Sequence, residues 1–230
     1  MNHKSSFEEA YSLILGDIVD GRLRPGEIIT ESDLAERYGI SRTPVREALN
    51  RFQCEGLVST TNRTKRIYSL SIDDLKEIFE IKKLIEGHLT GKAAENLTDK
   101  QAVKLRCIVD EMNKLAEKSP GDEEEGKVLL EMWLNLDRQF HELIYSVAGN
   151  RRAEQLIRKL NIQWHRLKVG LIAIEGRINT AIIEHVSIAS AVIERDSHKA
   201  RLAMEEHLES LERIIIKLME AFGYANNVRN

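Results

Sequence analysis

The sequence predicts a mainly α-helical chain, with a small N-terminal unit of helices and one hairpin followed by an antiparallel all-helical bundle. Three observations carry this. The three prolines are Pro25, Pro44 and Pro120, so residues 121–230 contain none. That stretch is rich in Leu, Ile, Ala, Glu, Lys and Arg, a composition that favours helix. Apolar residues recur through it at helical spacing, with no strand alternation and no internal repeat beyond residue 71.

Composition excludes several classes. With 42% apolar and 31% charged residues of mixed sign, the 230-residue chain is too apolar for disorder and long enough to bury a core. Cys54 and Cys107 stand in no motif, which argues against a disulfide framework or a thiolate zinc site. The start, MNHKSSFEEA, has no apolar core of a leader, and runs such as Leu171–Ile174 are far too short to span a bilayer. A cytoplasmic protein without membrane contact is expected.

The N-terminal elements follow in order. Tyr11, Ile14, Leu15 and Ile18 form one helix face, and Gly21 to Gly26, with Pro25, form a turn. Leu34, Ala35 and Tyr38 mark a short second helix ended by Gly39. Ser41 is placed to cap a third helix, where Pro44 is tolerated because first-turn N–H groups lack intrahelical acceptors. On it Val45, Ala48, Leu49 and Phe52 face inward, leaving Arg42, Thr43, Arg46 and Asn50 outside. Gly56 stops this helix, and Leu57-Val58 and Ile67-Tyr68 read as two short strands around a polar tip, Thr60 to Arg66.

Charge supports a polyanion partner here. Residues 41–70 carry six basic side chains (Arg42, Arg46, Arg51, Arg63, Lys65, Arg66) against two acidic ones (Glu47, Glu55), although the whole chain is net −3. Helix, tight turn, helix with a basic outer face, then a basic hairpin make a winged helix-turn-helix. A helix N-terminus attracts phosphate, arginines on its first turns reach guanine in the major groove, and cations of the wing follow the backbone.

At these residues the chain resembles the DNA-binding domain of GntR-family bacterial transcription regulators. The resemblance rests on Gly21-Arg22-Leu23-Arg24-Pro25-Gly26-Glu27, Asp33-Leu34-Ala35-Glu36-Arg37, Ser41 through Leu49 and Glu55-Gly56-Leu57-Val58, and covers residues 10–70. It implies that Arg42, Thr43 and Arg46 make the main DNA contacts, helped by Ser32, Ser41 and the wing cations Arg63, Lys65 and Arg66. The family wing usually has glycine after the arginine; here Thr64 follows Arg63, and Asn62 is the nearby residue that tolerates positive φ.

Beyond residue 71 six helices are expected. Ser71 caps the first, Thr98-Asp99-Lys100-Gln101 is a capping box for the second, and the third follows an acidic loop from Pro120 to Gly126 and runs to about Val147. Ala148-Gly149-Asn150 breaks it. The fourth runs to about Gly176, the fifth from Arg177 to Arg195, and Asp196 caps the last. The expected domains are therefore 1–70 for the winged helix and 71–230 for an effector-binding and dimerisation bundle.

Three of these helices carry ionisable residues inside apolar stripes. Asp137 and His141, at i and i+4, fall among Trp133, Leu136, Phe140 and Ile144; His185 lies between Ile182 and Ile188; His207 lies between Met204 and Leu211. Two readings stay open on spacing alone. Each histidine can be a hydrogen-bonded core residue, or the four groups can share one divalent cation, with zinc, nickel, cobalt, manganese or iron fitting a thiolate-free set. His3, His88, His165 and His198 are read as ordinary residues.

Here the chain is similar to the C-terminal FCD effector domain of the FadR subfamily. Asp137-Arg138-Gln139-Phe140-His141, Ala148-Gly149-Asn150, Glu184-His185 and the Asp196, Ala200, His207 series carry the likeness, over residues 72–220. It implies a metal held by Asp137, His141, His185 and His207 that a small organic acid coordinates. The family's inward-pointing arginine on the first effector helix is replaced by Lys82, which can attract a carboxylate or pair with Glu86 at i+4. Arg166, beside His165, is a second candidate for the effector. The implied protein is a homodimeric, ligand-responsive repressor that binds a palindromic double-stranded operator and is not an enzyme. The alternatives are a metal-dependent hydrolase with a DNA-localising domain and a DNA-binding protein with an inert bundle.

Overall fold

The structure, a computed structural model, describes residues 6–118, 122–172 and 177–221, without the side chains of residue 123 and residues 165–172. Contacts divide the chain into two units. One holds residues up to Ser71 with Lys159–Lys168; the other runs from Ile72 to Arg158 and from Val169 onward.

In the first unit, α1 (Ser6–Val19), β1 (Ile28–Ile29), α2 (Glu31–Tyr38), α3 (Arg42–Cys54), β2 (Val58–Thr61) and β3 (Thr64–Ile67) enclose one core. Ile14, Ile18, Leu34, Ala35, Val45, Ala48, Leu49 and Phe52 of the expected stripes are buried there together with Ala10, while Tyr11, Leu15 and Tyr38 are partly buried against them. Thr30 caps α2 by accepting from the Asp33 N–H, and Gly39 ends it at φ 67°, a left-handed conformation that suits glycine. The sheet is antiparallel with order β1-β3-β2.

Two expectations change here. Strand β1 pairs with β3 through Ile28 and Ile29 and was not anticipated, because two residues carry no period. The wing is longer and tighter than a polar tip from Thr60 to Arg66. Val58 faces Ile67 and Thr61 faces Thr64, so only Asn62 and Arg63 form the turn. Both have positive φ, 50° and 64°, whereas only Asn62 was expected to tolerate it.

The second unit contains α4 (Ile72–Asn96), α5 (Asp99–Ala116), α6 (Glu123–Ala148), α7 (Arg151–Ile172), α8 (Arg177–Ile193) and α9 (Ser197–Ala221), with the middle of α7 belonging to the first unit. The predicted capping box at Thr98 and Gln101 is present. Helix α6 starts earlier than the acidic loop suggested. Asp122 caps it by accepting from the Glu125 N–H, so Glu124 and Glu125 lie in a first turn whose dipole favours anions. The stretch 173–176, where the fourth predicted helix was expected to end, lies outside the described residues.

Helix α4 packs along α9 and also against α6 and α8, while α5 packs on α6 and α8. The long α4–α9 contact is close: a Cβ on Gly91 would stand 3.0 Å from the Ser197 carbonyl oxygen. Among the described residues no helix is long and apolar enough to cross a membrane.

Candidate metal centre and nucleic-acid interface

Helix α3 presents its polar face outward. Arg42, Thr43 and Arg46 are exposed, and neither arginine has a hydrogen bond or ion pair with a described residue. Ser41 occupies the N-cap with φ −71° and ψ 160°, but its side chain makes no capping bond. Part of the cause lies in the first turn. A cap side chain accepts from the second or third helical N–H; the third residue here is Pro44, which has none, so only the Thr43 N–H remains for such a bond, and Ser41 does not take it. The hydroxyl is left at a helix start whose N–H groups and dipole already suit an anion.

The wing cations are not equivalent. Arg63 is exposed at the hairpin tip. Lys65 shares the inner face with buried Ile67; its Nζ donates to Asn50 Oδ1 at 3.3 Å and lies 3.5 Å from Glu31 Oε1. Arg66, on the other face, donates from Nη1 to the Gly26 carbonyl at 3.0 Å. Ser32 is half-buried on α2.

Two buried carboxylates that spacing did not reveal hold this unit together. Asp17 accepts from Tyr38 Oη at 2.6 Å, Arg22 Nε at 2.5 Å and Arg37 Nη1 at 3.3 Å. Burial alone would raise its carboxyl, but the bonds from Tyr38 and Arg22 outweigh that and hold it below the usual carboxylate range. Burial and the Asp17 bond push the Tyr38 phenol up to about 12. Glu55, just past α3, accepts from Tyr11 Oη at 2.7 Å and Arg51 Nε at 2.6 Å.

In the second unit the histidines expected from three separate stripes converge. His141, His185 and His207 offer ligand atoms that all lie within 4.8 Å of one another. Asp137 Oδ1 lies 3.6 Å from His185 Nε2 and 3.9 Å from His141 Nε2. Ligand atoms on a cation at about 2.1 Å stand about 3.0–3.4 Å apart, so the Asp137 separations need to close by less than about 1 Å and the widest histidine separation by less than about 2 Å, within the reach of side-chain rotation.

Hydrogen bonds orient the rings. His185 Nδ1 donates to the Ala181 carbonyl at 2.6 Å, which leaves its Nε2 as a lone pair. That Nε2 is buried with no hydrogen-bond partner among the described residues, and Trp133 and Phe140 pack around the ring edge-on. His207 Nδ1 donates to Glu184 Oε2 at 2.8 Å, freeing its Nε2 in the same way. Burial pushes the His207 imidazolium below its ordinary range, so the neutral, ligating form holds at pH 7. Burial alone would raise the Glu184 carboxyl, but the bonds from His207 and Ser210 and the Arg177 charge hold it below the usual carboxylate range. His141 Nδ1 lies 3.4 Å from Tyr145 Oη, which donates to Glu86 at 2.6 Å. Three imidazoles converging around a buried ring nitrogen that has no hydrogen-bond partner among the described residues fit a divalent ion; the His141, His185 and His207 cluster can coordinate one.

Of the two effector candidates, Lys82 is buried and donates to Glu86 Oε1 at 2.5 Å. The side chain of Arg166 lies outside the described residues, as does that of His165. Glu184 and Arg177 were missed. Their signal was faint: Glu184 directly precedes His185, and Arg177 is seven residues earlier on the same helix.

Comparison with known proteins agrees with both halves. The model of the bacterial regulatory proteins of the gntR family matches residues 7–64, and that of the FCD domain matches residues 77–210. The Uxu operon transcriptional regulator of Escherichia coli is 26% identical over 92% of this chain and 87% of its own length. The HTH-type transcriptional repressor RspR of the same species is 23% identical over 93% and 90%. Among solved structures, E. coli McbR/YncC has the same fold, with a TM-score of 0.73 at 23% identity over 94% of this chain and 99% of that one. This family consists of regulators rather than enzymes, which sets aside the hydrolase alternative. The chain belongs to the GntR family of DNA-binding transcription regulators, and its C-terminal half is an FCD-type effector domain.

Proposed function

We propose that this regulator works as a homodimer of the FadR type. Its α3 helices and wings read a palindromic operator, and each bundle senses a small organic acid through a bound divalent metal. The ligands are Asp137, His141, His185 and His207, with zinc or nickel best suited to three imidazoles and one carboxylate. When bound, the ion supplies a Lewis-acidic position for an acidic ligand. Arg42, Thr43 and Arg46 make the base and phosphate contacts, with Ser41, Ser32 and Arg63 on the backbone and Lys65 and Arg66 shaping the wing. Ligand binding lowers operator affinity, making the protein a repressor released by its effector.

The observation that carries the metal reading is the buried, unpartnered Nε2 of His185. A buried polar atom left without a partner costs about 1–3 kcal/mol, and a cation removes that cost. The test uses full-length protein purified without chelator. Elemental analysis should find about one divalent ion per chain, and selection from random duplex DNA should return a palindrome. Arg46→Ala should weaken the selected site by about 1–3 kcal/mol while leaving the melting temperature unchanged, since Arg46 has no hydrogen-bond or ion-pair partner among the described residues. Metal-free protein, or an Arg46→Ala variant with full operator affinity, would refute the corresponding half of the reading.

A further inference from the structure

We propose that Arg177 is the anion-recognising side chain of the bundle interior, taking one carboxylate or similar singly charged group through Nη1. This rests on the sensing role proposed above and names the residue that selects the ligand.

Among the described residues two buried side-chain atoms lack any hydrogen-bond partner: His185 Nε2 and Arg177 Nη1. Their needs are opposite. The first is a lone pair that calls for a cation. The second is an N–H of a permanently charged group that calls for an acceptor.

Arg177 is 6% exposed, and its Nη2 donates to Glu184 Oε2 at 3.2 Å. That oxygen also accepts from His207 Nδ1 at 2.8 Å, so a single carboxylate ties the guanidinium to a histidine of the metal centre. One edge of the fork is fixed while Nη1 remains free to bond. Arg177 is also the first residue of the 17-residue helix α8, whose N-terminal dipole favours negative charge.

The other buried cation is already used. Lys82, on the helix where the family resemblance placed the effector contact, is closed by Glu86 at 2.5 Å. Charge fixes the class of ligand. Lys82 and Arg177 stand against Glu86, Asp137 and Glu184, which leaves one net negative charge in this network. A divalent ion turns that to one net positive charge, and a monoanion balances it. Dianions overshoot, and neutral ligands leave both Nη1 and the residual charge unmet.

The experiment uses full-length zinc-loaded protein and three monocarboxylates, acetate, lactate and benzoate, each paired with its neutral amide at equal ionic strength. At least one acid should raise the melting temperature and its amide should not. Arg177→Lys keeps the charge and the reach to Glu184 but loses the second donor. It should retain fold and zinc content and bind that acid about 10- to 100-fold more weakly; Arg177→Gln should abolish binding. Equal shifts from acid and amide, no shift from any acid, or unchanged affinity in Arg177→Lys would overturn the proposal; a buried water satisfies Nη1 in that case. The two readings separate cleanly. Acid binding that survives Arg177→Lys in zinc-loaded protein leaves the metal reading standing and removes this one. Acid binding that needs Arg177 but not zinc does the reverse.

Discussion

Asn62 and Arg63 show how one residue can serve a site at the expense of the fold. A two-residue hairpin turn with positive φ at both positions matches the twist of the flanking strands, and the usual pair is Asn-Gly. Arginine at the second position carries a left-handed penalty of about 1–2 kcal/mol that glycine avoids, partly offset by the greater freedom glycine loses on folding. The arginine places a cation at the tip of the wing, so the strain sits where backbone contact is proposed. Arg63→Gly should therefore stabilise the protein by about 0.5–1 kcal/mol and weaken DNA binding, with the salt dependence reduced by about one phosphate contact. Thermal melts and salt titrations of operator binding measure the two effects. A lower melting temperature in Arg63→Gly would show that the turn is not strained.

At the scale of elements, breakers, caps and periodicity located the six helices described beyond Ser71, and α5, α6, α8 and α9 bury apolar residues at helical spacing. The same stripes exposed the metal candidates: Asp137, His141, His185 and His207 were visible as polar interruptions. What spacing could not show were partners brought together from distant segments. Asp17 looks like an ordinary surface acid on α1, yet it accepts from Tyr38 and Arg37 on α2 and from Arg22 in the turn between. Glu184 and Arg177 were hidden likewise, since their meaning depends on His207 of α9. The Asp17 tie predicts an acid dependence. Its carboxyl is held below the unfolded value near 4, so the unfolded chain takes up its proton first as pH falls. The stabilisation is whole above about pH 5 and is lost as pH drops through the folded value. Asp17→Asn should cost about 1–3 kcal/mol at pH 7, and the gap from the parent protein should narrow below pH 4. Urea denaturation at pH 7, 5 and 3.5 measures it; a gap that widens with acid would mean the carboxyl is not depressed.

For the whole molecule, global stability should tell whether the histidine cluster of the bundle interior takes a cation, as proposed. His185 sits fully buried among Trp133, Phe140 and two other imidazoles, and its Nε2 has no hydrogen-bond partner among the described residues. In metal-free protein that atom is a cost of about 1–3 kcal/mol. A leucine there fills a similar volume and brings no polar atom, so under chelator His185→Leu should melt at or above the parent. With metal the order should invert. A ligand at a hundredfold excess over its Kd stabilises the folded state by about 2.7 kcal/mol, and in a chain of this length each kcal/mol moves the melting temperature by about 2–4 °C. Zinc should therefore raise the parent by several degrees and leave His185→Leu unmoved, so that the two melting curves cross between chelator and zinc. Parallel shifts in both proteins would place the zinc elsewhere. A parent that melts well above His185→Leu even in chelator would mean that the imidazole is satisfied by the protein itself, as an ordinary core histidine.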